Sequence, residues 1–122
     1  MIFNHISLGT NDVENASAFY DAVLSTLGIS RSHTIDQVAV SYGEQFEFWV
    51  GLPLEGNGSS GNGTHVAFNA PSQDAVDTFY QVALQQGASC EGKPALRPEY
   101  GASYYAAYVR DLDGKKIEAV FT

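Results

Sequence analysis

Residues 3–9, FNHISLG, alternate between apolar and polar positions, with Ile6 and Leu8 on one side and His5 and Ser7 on the other. That period of two predicts a half-buried β-strand. The period then changes. Val13, Ala16, Phe19, Tyr20, Val23, Leu24 and Leu27 recur at helical spacing, with Asn11 or Asp12 placed to cap, Glu14 in the first turn and Gly28 as the stop. Three short strand-like stretches follow, around 30–35, at 37–42 (QVAVSY) and at 44–50 (EQFEFWV), so the first part reads βαβββ. Residues 51–63, GLPLEGNGSSGNG, are turn-rich and predict a flexible linker. After it the order repeats: a strand at 64–69, a helix from about Ser72 to Gln86 with Val76, Phe79, Tyr80, Ala83 and Leu84 on one face, and Gly87 as its stop. A short strand near 88–91 precedes an irregular, proline-containing segment at 92–102, and YYAAYVRD and KKIEAVF form two strands joined at DLDG.

The two halves also match residue by residue. His5 and His65, Phe19-Tyr20 and Phe79-Tyr80, and Leu24 and Leu84 are each separated by sixty positions. A gapless offset of this kind is the mark of an internal repeat. The expected architecture is therefore α+β: one domain over 1–122, built of two tandem βαβββ units (1–52 and 63–122, linker 53–62). They form a curled eight-stranded open sheet, an incomplete barrel, with helices outside.

Composition narrows the partners. Fourteen acidic and six basic residues give a net charge of −8, which repels nucleic acid and anionic membrane surfaces. Cys90 is the single cysteine, so no internal disulfide can form, and MIFNHISLGTND carries neither a basic leader nor a long apolar run. The expectation is a cytoplasmic protein whose partner is a small molecule.

The chemistry-bearing residues gather at repeat positions. His5 and His65 open equivalent strands, and Glu118 sits between Ile117 and Ala119 in an otherwise apolar strand, where a carboxylate is costly unless something neutralises it. Two imidazoles and a carboxylate suit a borderline divalent ion with positions left open for substrate. Glu47 follows Gly43 by four residues, as Glu118 follows Gly114, which makes it a candidate fourth ligand and internal counterpart. A single histidine on a strand is more often a hydrogen-bonded structural residue; the weight here comes from the pairing. His33 has no internal counterpart and reads as a surface residue. A three-residue loop at Leu112–Gly114 would set Tyr108 opposite Glu118, with Ala106 and Tyr104 along the same side. Trp49 shares a strand face with Glu47 and would line a pocket, although Trp and Tyr are equally at home in a core.

In HISLGTNDVENASAFYDAVLSTLGI, GTHVAF and AYVRDLDGKKIEAV, which span nearly the whole chain, the sequence resembles the vicinal oxygen chelate superfamily, also called glyoxalase/bleomycin resistance/dioxygenase. The resemblance implies paired βαβββ units, usually as a homodimer, around a metal that chelates two neighbouring substrate oxygens and stabilises the charge developing there. Carried over by position, His5, His65 and Glu118 are the metal ligands and Glu47 a fourth. The resemblance implies Zn, Ni, Mn or Fe as the ion and Glu118 or Glu47 as the base; the hairpin register offers Tyr108 as a hydrogen-bond donor to bound oxygen. Tyr104, Trp49 and Arg97 are expected to contact substrate. A small glyoxalase-like lyase or isomerase is the activity implied. The fosfomycin type lacks its basic residue after the last carboxylate, since the strand ends EAVFT. The glutathione-dependent type wants cations that the sequence does not place. Extradiol dioxygenases are longer and carry more histidines. A metal-free, bleomycin-resistance-type drug binder, which the acidity suits, is the competing class; a dioxygenase is the other alternative.

Overall fold

The computed structural model describes residues 2–122. The first unit runs β1 (Ile6–Gly9), α1 (Val13–Ser25), β2 (Arg31–Ile35), β3 (Ala39–Tyr42) and β4 (Phe48–Gly51). The second runs β5 (His65–Asn69), α2 (Gln73–Gln85), β6 (Ser89–Leu96), β7 (Tyr105–Arg110) and β8 (Lys116–Phe121). The eight strands lie in two mixed four-stranded sheets, ordered β1-β4-β3-β2 and β5-β8-β7-β6, and no barrel closes. In each sheet the first and last strands pair in parallel while the others pair antiparallel. A parallel neighbour needs a long crossover, and the helix after the first strand begins it.

Local chemistry accounts for the element ends. Asp12 caps α1 by accepting from the Asn15 N–H, and Ser72 caps α2 by accepting from the Ala75 N–H. Gly28 and Gly87 follow the helices with φ of 77° and 102°, a left-handed conformation that a side chain resists. One expectation needs correcting. The strand near 88–91 continues to Leu96, so half of the segment expected to be irregular is sheet. Pro94 fits because β6 is the outer strand and the ladder is irregular between Gly92 and Ala95, where a missing N–H costs little.

Both units bury one face in the same core. Phe19, Tyr20, Val23 and Leu24 of α1 and Val76, Phe79 and Ala83 of α2 belong to a single buried cluster with residues of both sheets. Leu84, expected on the buried face of α2, is instead exposed, because the helix turns Ala75, Val76, Phe79 and Ala83 inward. Phe48 of β4 meets Phe68 of β5 edge to face, centroids 4.9 Å apart, across the junction of the units. Such a contact is worth about 0.5–1.5 kcal/mol beyond its area. One polar tie reinforces it. The buried Tyr20 hydroxyl donates to Asp111 Oδ2 at 2.5 Å, while Asp111 Oδ1 accepts the N–H groups of Asp113 and Lys115, each at 2.9 Å. The turn between β7 and β8 is thereby fastened to a helix of the other unit.

The linker is held as well: Gly58 N–H donates to Asn11 at 2.7 Å, and Lys115 Nζ donates to the Ser59 carbonyl at 2.8 Å. Among the described residues, no helix is long and apolar enough to cross a membrane.

Removing the Tyr20 hydroxyl leaves a buried carboxylate oxygen without its donor. Tyr20→Phe should lower stability by about 1–3 kcal/mol in urea unfolding, the cost of an orphaned buried acceptor. Tyr105→Phe, which removes a part-buried bond to Asp77, should lower it less. Equal losses would show that Tyr20 acts through packing alone.

Candidate active site on the second sheet

Alternation along β5, β7 and β8 sorts their side chains. Val66, Phe68, Val109, Ile117 and Ala119 go to the core, and His65, Tyr108, Lys116 and Glu118 go to the opposite face. There they border a cavity of about 470 Å³, which Glu91, Arg97, Glu99, Tyr100 and Tyr104 complete. Glu118 lies at its floor, 1% exposed. Its two oxygens have separate partners: Oε1 is 2.6 Å from His65 Nε2, and Oε2 accepts from the Tyr104 hydroxyl at 2.5 Å. This is how a carboxylate is tolerated in an apolar strand: both oxygens are hydrogen-bonded and one neighbour can carry positive charge.

The register sets Tyr108 directly opposite Glu118, as the three-residue loop at Leu112–Gly114 implies; Gly114 closes that loop with φ of 81°. Burial, and then the hydrogen bond to Glu118 and its charge, push the Tyr104 phenol well above its ordinary value. Burial and the Glu118 charge also raise Tyr108, with Arg97 opposing. Both hydroxyls therefore remain donors across the physiological range.

The first sheet carries the other candidates. His5 lies just before β1, exposed, with Nδ1 2.7 Å from Asn4 Oδ1. Glu47 lies just before β4, where Oε1 accepts the Gln45 N–H at 2.5 Å. His5 and Glu47 share a groove of about 370 Å³ with His65, Val66 and Ala67, apart from Glu118. Trp49 is half-buried against His33, centroids 6.5 Å apart, and does not line the Glu118 cavity.

Strand pairing also corrects the internal counterpart of Glu118. Ser7 pairs with Trp49 and the repeat-equivalent Ala67 pairs with Glu118, so Trp49, not Glu47, occupies the matching place. Glu47 corresponds to Lys116. The glycine spacing misleads because Gly43 opens its turn, which continues through Phe46 at φ of 57°, whereas Gly114 ends its turn. Four residues after Gly43 therefore only reaches the strand, while four after Gly114 is already inside it.

His65 and Glu118 are chemically suited to a divalent ion, an imidazole nitrogen and a carboxylate side by side at an open cavity. Among the described residues, no three His, Cys, Asp or Glu side chains of one chain converge. Sequence reasoning missed Lys116, Glu91, Glu99 and Tyr100. Lys116 was readable from the two-residue step before Glu118 on the same strand face; the others required knowing that β6 and the turn after it flank the cavity.

Two βαβββ units, a shared core and a paired His/Glu at the floor of an open cavity define the class of protein. The family model described as "Glyoxalase/Bleomycin resistance protein/Dioxygenase superfamily" matches residues 2–119, and the chain belongs to that family. Among solved structures, a glyoxalase/bleomycin resistance protein from Albidiferax ferrireducens T118 is 33% identical, with a TM-score of 0.87 over 100% of this chain and 99% of that one. A glyoxalase-related enzyme from Fulvimarina pelagi (19% identity, TM-score 0.77, 100% and 88% covered) has the same fold. So does a lactoylglutathione lyase from Agrobacterium tumefaciens (19%, 0.67, 99% and 92%). No curated protein matches the chain.

The raised tyrosines give a test by pH. A phenol whose value is higher in the folded than in the unfolded chain contributes stability below the ordinary value of about 10, and that stability is lost as pH rises beyond it. Phenolate absorbance of the native protein should show Tyr20, Tyr42 and Tyr104 ionising last. In Tyr104→Phe the group lost from the titration should be a late one; loss of a group that ionises near the ordinary value instead would show that Glu118 does not restrain this phenol.

Proposed function

We propose that the protein is a divalent-metal-dependent lyase or isomerase of the glyoxalase type, acting on a small oxygenated compound. The observation that carries this reading is the buried Glu118 carboxylate 2.6 Å from His65 Nε2, at the floor of a cavity wide enough for a small substrate. His65 and Glu118 would hold the ion with His5, and Glu47 is a candidate at the edge. When bound, the metal supplies Lewis acidity toward two neighbouring substrate oxygens. The remaining work falls to side chains. A carboxylate oxygen of Glu118, or of Glu47, takes the substrate proton, and the Tyr104 hydroxyl on Oε2 keeps Glu118 in a fixed orientation. Tyr108, held protonated opposite Glu118, donates to a substrate oxygen. The lactoylglutathione lyase among the structural relatives supports this class of reaction.

His5 lies just before β1 of the other sheet and borders a groove with His65 that excludes Glu118. The third ligand is therefore proposed to come from a second copy of the chain, in a homodimer whose two sites each combine the first unit of one protomer with the second unit of its partner.

Elemental analysis of protein purified without chelator should find close to one metal ion per chain, lost in His65→Ala and Glu118→Ala. Mixing decides the cross-chain part. His5→Ala and Glu118→Ala chains should each bind no metal alone, yet regain up to one intact site per mixed dimer after unfolding and refolding together. Metal in the parent without regain on mixing would place the site within one chain. No metal after reconstitution with Zn, Ni, Mn and Fe in turn would instead favour a metal-free binding protein.

A further inference from the structure

The six basic residues of this acidic chain are not spread evenly in their pairing. Arg31 is bound to Asp21, Arg110 to Glu91, and Lys115 to the Ser59 carbonyl. Lys93, Arg97, Lys115 and Lys116 have no carboxylate within salt-bridge distance among the described residues. Two of these four, Arg97 and Lys116, line the Glu118 cavity. Lys116 Nζ and Arg97 Cζ each lie 5.2 Å from the centre of the Tyr108 ring. Backbone holds Arg97 in place: Nη2 donates to the carbonyls of Lys93 and Ala106, and Nε is buried without a partner. The acidic groups of the cavity offer little competition. Glu118 is engaged by His65 and Tyr104, Glu91 by Arg110, and Glu99, exposed at the rim, is in no ion pair among the described residues.

A protein of charge −8 repels anions at long range, so two cavity cations that form no salt bridge, beside a reactive carboxylate, are best explained by the charge of what binds there. We propose that the substrate of this site is a small carboxylic acid, its carboxylate seated on Lys116 and Arg97 against the Tyr108 ring, beside the oxygens that face His65 and Glu118. This rests on the cavity being the substrate site, but the anion subsite is built without any metal ligand, so it can be tested separately. Lys116 would be the residue that selects for acids, with Arg97 in support.

The experiment uses chelator-treated protein at low ionic strength, with benzoate and benzamide, alike in shape and different in charge, followed by NMR on the tyrosine ring resonances. Benzoate should give saturable shifts centred on Tyr108 and bind about tenfold or more tightly than benzamide, a difference of about 1.4 kcal/mol. The preference should weaken as salt is added. Lys116→Met and Lys116→Gln, read in samples with well-dispersed amide spectra, should lose most of it, and Arg97→Met part of it. Lys93→Met, which removes an exposed carboxylate-free cation that is not part of the cavity, should keep it. Equal affinities for the two probes, no saturable benzoate shift, or equal effects of Lys93→Met and Lys116→Met would overturn the proposal. Metal content is measured on each preparation before chelator treatment and again after reconstitution. Metal bound without benzoate preference sinks the anion subsite alone, and preference without metal sinks the metal reading alone.

Discussion

The constraint on which the rest depends is that the two units bury their apolar faces against each other rather than each closing a core of its own. A single βαβββ unit has one helix for four strands, too little to cover its sheet, so Phe48 and Phe68, α1 and α2 meet across the junction. The Tyr20–Asp111 hydrogen bond fixes how they meet, since a buried donor and acceptor can be satisfied in one relative placement only. The consequence is functional. With the apolar faces spent on the shared core, the polar faces of both sheets are left for chemistry.

On the second sheet that face is made by strand register. β8 pairs with β5 on one side and β7 on the other, which puts Glu118 between Ala67 and Tyr108 and Lys116 next to His65. Glu118, Tyr108, His65 and Lys116 are thus collected on paired strands, with Arg97 and Tyr104 added from the segment between β6 and β7. Rigid strands suit the task, because an orientation held by paired backbone is not lost when a ligand enters.

The first sheet has kept the scaffold and changed the side chains. Trp49 stands where Glu118 stands in the second unit, and Glu47 where Lys116 stands. The repeat is therefore symmetric in backbone and asymmetric in chemistry: the second unit holds the carboxylate centre, while the first holds His5 and an aromatic surface where Trp49 packs against His33.

Much of this was written in the sequence. The period of two around His5 and His65, the helical spacing from Val13 and from Val76, the Asp12 and Ser72 caps and the glycines that stop both helices are local properties, and local sterics and hydrogen bonding enforce them wherever the chain goes. Even the Tyr108–Glu118 pairing was legible, because a three-residue loop fixes the register of a hairpin. What lay beyond it depended on contacts distant in sequence. The end of β6 was set by pairing with β7, which outweighed the proline; the counterpart of Glu118 by the parallel pairing of β4 with β1, which glycine spacing cannot report. Arg97, Tyr100 and Lys116 became neighbours only when β6 and β8 were both placed beside β7. Sequence determined the units and their polar faces; tertiary structure decided which side chains share one cavity, because a cavity is made of residues that the chain keeps apart.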